Sequence, residues 1–244
     1  MPRCVTIHQP HYWPWLGLID KIDCADVFCI LDTVDFEKGG YQNRTRIAAG
    51  GAPQWLTIPV VHHLGQRIMD VQIADSAWPE RHWRTLQTAY GNAPYFEKYQ
   101  AFFQAYYQKM TPSPVTLVGA LTPLLISLLQ DVFEIRTSLI FASTLKLNVG
   151  MTKTARLVAI CRSLGATEYL SGAGGRAYLD LDLFQQTGIA VRFQTFTHPV
   201  YPQQHGEFLP NLSVVDALFR IGGAKTLSLL RGQREKDSNT PNGA

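Results

Sequence analysis

The stretch "VTIHQPHYWPWLGLIDKIDCADVFCILDTV", residues 5–34, decides the fold. It opens with a short β-branched run ending at His8, passes through a block holding Pro10, Trp13, Pro14 and Trp15, and then places Leu16, Ile19 and Ile22 at helical spacing. "DVFCILDTV" follows as a nearly continuous apolar run, the pattern of a parallel strand covered on both faces. Strand, helix and buried strand in that order predict a βαβ unit.

The last third repeats the pattern. "TSLIFAS" predicts a strand, "TKTARLVAICRSLGA" a helix with Leu157, Ile160, Cys161 and Leu164 on one face, and "TEYLSG" a second strand. "RAYLDLDLFQQTG" then predicts a helix, "IAVRFQTF" a strand and "LSVVDALFRIGG" a final helix with Ser213 near its N-cap. Between the two α/β segments, "PQWLTIPVV" predicts an edge strand or hairpin arm flanked by prolines. Residues 78–110 predict two aromatic-rich helices broken by "GNAP", and a further apolar helix covers 114–134. The whole predicts one α/β domain over residues 5–230, with a Rossmann-like, mostly parallel sheet, helices on both faces and a helical insertion over 78–134. The polar, Gly- and Pro-containing end, residues 231–244, reads as a disordered tail.

Composition narrows the function classes. In 244 residues, 46% hydrophobic and 17% charged, there is enough apolar material for a large core, and a net charge of +3 is too small and too scattered to argue for nucleic acid. Cys4, Cys24, Cys29 and Cys161 lie in apolar surroundings with no metal-ligand spacing, which predicts buried free thiols in a reducing compartment and no metal site. No apolar run is long enough for a membrane span, so a cytoplasmic protein is expected.

In an open parallel sheet, ligands bind beyond the carboxyl ends of the strands. Three loops qualify. "HQPHYWPW" offers His8 as a general base, Gln9 and His11 as hydrogen-bonding partners, and Trp15 as a cover for a ring or a plug between sheet and helix. "DTVDFEKGGYQNR" offers Asp32, Gln42, Asn43 and Arg44, either to orient a substrate or as a structural pairing of Asp32 with Arg44. "SGAGGRAYL" offers an anion site, in which Ser171, Gly172, Gly174 and Gly175 admit a ligand close to backbone at a helix start and Arg176 adds charge. Lys21 and Tyr178 join the candidate substrate-binding residues. In the late Pro-rich loop, His198, Tyr201 and His205 serve either acid–base work or anchoring.

Taken in order, "IHQPHYWPWLGLIDKI", "YQNRTRI", "TEYLSGAGGRAYLD", "VRFQTFTHPVYPQ" and "FLPNLSVVDALF" resemble the WbqC-like family of bacterial proteins, across roughly residues 5–222. The resemblance implies a transferase that places glycine or a related acyl group on a sugar during biosynthesis of surface polysaccharide of the lipopolysaccharide O-antigen type. Gly39 and Gly40 stand where the family has a more basic stretch, leaving Lys38 and Arg44 as that turn's cations. On this reading His8 is the base, Asp32 and Asn43 orient the acceptor, and Arg176 with the Gly172–Gly175 backbone holds an anionic donor. The implied ligand is a sugar or nucleotide sugar, and polysaccharide-assembly enzymes are the implied partners. Two alternatives stand beside it. One is a nucleotide- or nucleotide-sugar-binding accessory protein. The other is a HIGH-type-like nucleotidyltransferase using ATP with magnesium, although Leu18 stands where the second histidine of that signature would fall.

Overall fold

The computed structural model describes residues 3–111, 116–148, 150–151, 153–204 and 206–239. The βαβ unit forms from Cys4–His8 (β1), Leu16–Asp23 (α1) and Val27–Ile30 (β2). The chain then leaves the sheet for the hairpin Arg44–Ala49 (β3) and Ala52–Thr57 (β4), a short ladder of Val60–Val61 (β5) with Gln72–Ile73 (β6), and three helices, Trp78–Tyr90 (α2), Phe96–Lys109 (α3) and Leu117–Ser127 (α4). It returns through Ser138–Phe141 (β7), Lys153–Ser163 (α5), Glu168–Ser171 (β8), Leu181–Gln185 (α6) and Ala190–Phe193 (β9), and ends in Val214–Ile221 (α7) and Gly223–Asn239 (α8).

The central sheet has five parallel strands in the order β7-β2-β1-β8-β9. Side-chain alternation sorts β2 between two layers. Val27 and Cys29 pack with Val5, Ile7 and the α5 residues Leu157, Ile160 and Cys161, whereas Phe28 and Ile30 pack with Leu16, Ile19 and Ile22 of α1 on the other face. This is the Rossmann-like arrangement, helices on both faces. The insertion helices join the α1 layer, so the larger core runs from the sheet through Trp78, Leu86, Phe103 and Leu121 to Phe219 of α7.

The corner between β1 and α1 is pinned to this helical layer by Trp13. Its ring is fully buried, 4.5 Å from that of Phe103, and its Nε1 donates to the Tyr107 hydroxyl at 2.9 Å. Its φ of 41° is costly for a bulky residue, and the surroundings over-determine it. The Trp13 carbonyl accepts from the hydroxyls of Thr45, at 2.9 Å, and of Ser213, at 3.0 Å.

Two elements differ from expectation. The helix predicted over "RAYLDLDLFQQTG" shrinks to α6, preceded by a 3-10 turn over Ala173–Ala177, because the Asp180 side chain accepts from the Leu183 N–H at 3.1 Å and starts the helix late. Residues 231–239, predicted as tail, continue α8. Their charges are used: Arg231 pairs with Asp23 at 2.7 Å and Arg234 with Asp20 at 2.8 Å, both on α1. Among the described residues no helix is long and apolar enough to cross a membrane.

Candidate functional site

At the centre of the sheet, the connections leaving β1 and β8 diverge, since β1 leads toward β2 on one side and β8 toward β9 on the other. Such a switch point leaves a crevice beyond the strand ends. Here it is a pocket of about 350 Å³. His8, the last residue of β1, and Lys21 from α1 line it, facing the Gly172–Gly174 backbone that follows β8. Trp15 and Phe196 supply an aromatic wall, edge to face at 5.2 Å. Gly17 is required by that wall, because a Cβ there would lie 2.2 Å from the Trp15 indole.

The His8 ring is oriented by its own backbone. Nδ1 lies 2.9 Å from the Gln9 carbonyl oxygen, a contact in which the ring nitrogen must donate, so the lone pair falls on Nε2. Burial, reinforced by the Lys21 charge, lowers the His8 pKa to about 4 and keeps the ring neutral near neutrality. Burial lowers Lys21 to about 8, and its ammonium donates to the Ile7 carbonyl at 3.1 Å. His11 meets His8 edge to face at 4.7 Å and stacks on Tyr41 at 5.5 Å; burial, then His8 and Lys21, hold it well below the usual histidine range. Its Nδ1 is buried with no hydrogen-bond partner among the described residues.

The pocket therefore gathers His8, Trp15, Lys21, Gly172 and Gly174 from the predicted set. Gln9 and Tyr178 line a separate cavity across β1, and the Gln42 amide donates to the Gln9 side chain at 2.8 Å. The others lie elsewhere. Asp32 accepts from the backbone N–H and hydroxyl of Ser143, at 2.9 and 2.5 Å, so it fastens the loop after β7, and the suggested pairing with Arg44 does not form. The Asn43 amide donates to the Ile58 carbonyl at 2.8 Å, and the Arg44 guanidinium lies 3.9 Å from the centre of the Trp55 ring while donating to the Gly39 carbonyl.

In the glycine-rich loop, the Ser171 hydroxyl donates to the Gly172 carbonyl at 3.1 Å, and Gly175 packs where a Cβ would meet that hydroxyl. Arg176 lies over Phe193 with 4.4 Å to the ring centre. A short 3-10 turn stands where a helix start was expected, so the loop gains no helix-dipole field. His198 makes a 2.9 Å contact with the Pro199 carbonyl, and the Tyr201 hydroxyl donates to buried Asp216 at 2.9 Å. His205 lies outside the described residues.

Gln194 and Phe196 complete the pocket without having been singled out in the sequence. Gln194 donates to the Gly17 carbonyl at 2.9 Å and to Asp20 at 2.7 Å, tying the end of β9 to α1. Both fall inside the stretch predicted as a strand, which in the structure ends at Phe193, so the strand-end rule that selected His8 would have found them only with the true end of β9 known.

A family model described as the WbqC-like protein family matches residues 9–227. An uncharacterized protein of Mycobacterium tuberculosis is 32% identical over 221 residues, covering 89% of this chain and 94% of that protein. No solved structure matches the chain.

Proposed function

The chain belongs to the WbqC-like protein family, and from that premise and the pocket's geometry we propose that it transfers an acyl group, glycyl or a close relative, to a hydroxyl or amine of a sugar in surface polysaccharide assembly. The observation that carries this reading is the His8 ring: Nδ1 is committed to the Gln9 carbonyl, which leaves the Nε2 lone pair for a substrate in a pocket that also holds the Lys21 ammonium.

The chemistry follows from those groups. The acceptor oxygen or nitrogen attacks the carbonyl carbon of an activated acyl donor, and its proton passes to His8 Nε2 as the new C–O or C–N bond forms. Negative charge develops on the carbonyl oxygen, where the Lys21 ammonium is the cation available in the pocket. As the bond to the leaving group breaks and the carbonyl re-forms, the protonated ring gives its proton to the departing group. A pKa near 4 makes that imidazolium a strong acid, so the second transfer is fast and the first depends on a well-placed donor. Gly172 and Gly174 let a substrate approach backbone, and Trp15 and Phe196 offer flat faces for a sugar ring.

The test is product detection. Purified protein is mixed with a glycyl adenylate or glycyl thioester and a panel of nucleotide sugars, and the sugars are searched by mass spectrometry for one added glycyl unit. His8→Gln should lower formation of that product by about 10²–10⁴-fold at unchanged melting temperature. No glycylated or otherwise acylated sugar from any donor would overturn the proposal.

A further inference from the structure

A second cavity of about 530 Å³ lies on the other side of β1, beyond the ends of β1 and β2 and against α5. Gln9 lines it, while His8, its neighbour in the chain, lines the first pocket. Successive side chains point to opposite faces, so one strand end serves both spaces.

Two cations face this cavity, Lys153 and Arg156, one turn apart on α5. Neither makes an ion pair among the described residues, whereas nearby Arg67 is committed to Asp70 at 2.9 Å. Residues at this helical spacing hold their Cβ atoms about 5–6 Å apart, a distance that suits two adjacent phosphoryl groups. A guanidinium grips phosphate through parallel N–H bonds, and an ammonium adds a point charge. Tyr178 lines the same cavity and is 56% exposed, so its ring face is open to a ligand. Asp35 is the opposing carboxylate, one against two cations, and it is placed to accept from a sugar or ribose hydroxyl.

We infer that this cavity binds a diphosphate-bearing carrier, with Lys153 and Arg156 on the phosphates and Tyr178 against a ring, as a nucleoside diphosphate would present. The carrier's phosphates then sit on one side of the β1 end and the group it carries reaches toward His8 on the other. Only that last step rests on the proposed transfer. The same role had been expected of Arg176, whose guanidinium instead lies on Phe193.

Isothermal titration calorimetry of the full chain with inorganic pyrophosphate, with UDP, and with phosphatidylcholine vesicles carrying a polyprenyl diphosphate tests the inference. Saturable binding of pyrophosphate and UDP is expected, and Lys153→Gln with Arg156→Gln should weaken both at least about tenfold. Arg156→Gln alone and Arg156→Lys, which keeps the charge but loses the parallel N–H pair, guard against a folding artefact: both should weaken pyrophosphate, the second less than the first. Tyr178→Ala should weaken UDP and leave pyrophosphate unchanged. Binding confined to the vesicles, and lost with the two cations, supports the same site with a lipid-linked carrier. Absence of binding to all three probes, or binding indifferent to Lys153 and Arg156, overturns it. His8→Gln should bind UDP normally, so failure of the transfer chemistry and failure of this site give different results.

Discussion

Buried groups, His8 and Lys21 at the strand end and His82 on α2, set two pH dependences. For activity, His8 must be neutral and Lys21 charged, so the rate should rise through about pH 4 and fall above about pH 8, which a pH–rate profile of acyl transfer would read. For stability the sign is set by which state holds more protons. His82, buried and bonded to the Tyr12 hydroxyl at 2.8 Å, has its pKa lowered to about 4, chiefly by burial, as has His8. Between pH 6.5 and 4 the unfolded chain therefore binds more protons, and folding stability should drop as pH falls through that window, on the order of 3 kcal/mol for His82 alone. A denaturant midpoint that stayed constant from pH 7 to pH 4 would contradict this. The same cluster gives a third expectation. The Tyr107 hydroxyl serves both the Tyr12 hydroxyl, at 2.7 Å, and Trp13 Nε1, so Tyr107→Phe should cost about 1–3 kcal/mol in a urea titration: Tyr12 keeps His82, but the buried Trp13 N–H loses its partner.

Single elements show what the sequence disclosed and what it hid. Spacing was enough for β1, α1 and β2, because an amphipathic helix between two apolar runs has few other solutions. It failed at 176–188, read as one helix, where the Asp180 cap starts the helix only at Leu181. The strand-end rule brought out His8 and Gly172 but could not tell that Asp32, at an equivalent end, turns to Ser143, since that partner lies 111 residues away in the chain. Polar composition similarly disguised residues 231–239, whose arginines are structural only because α1 presents Asp20 and Asp23. The first turn of α1 carries its own prediction. Gly17→Ala would push the Trp15 indole off its seat and into the pocket, and we expect turnover to fall by up to about 10²-fold while the circular dichroism melting temperature hardly moves.

Across the whole molecule, the site is braced from the far end of the chain. Arg234 of α8 pairs with Asp20, which accepts from Gln194, which in turn donates to the Gly17 carbonyl at the pocket floor. Arg234→Ala should cost about 2 kcal/mol in thermal unfolding, because Asp20 is left buried without its cation. The middle strand β1 imposes a different demand, one of timing. Its neighbour β8 lies far downstream, the Thr6 hydroxyl reaching the Leu170 carbonyl across a sequence separation of 164 residues. At ordinary translation speeds that gap takes on the order of ten seconds to synthesise. Through that interval the nascent chain carries β1 with the edge that β8 will cover still open, so ribosome-bound intermediates of this protein should depend on chaperone shielding, and late events in synthesis govern its yield.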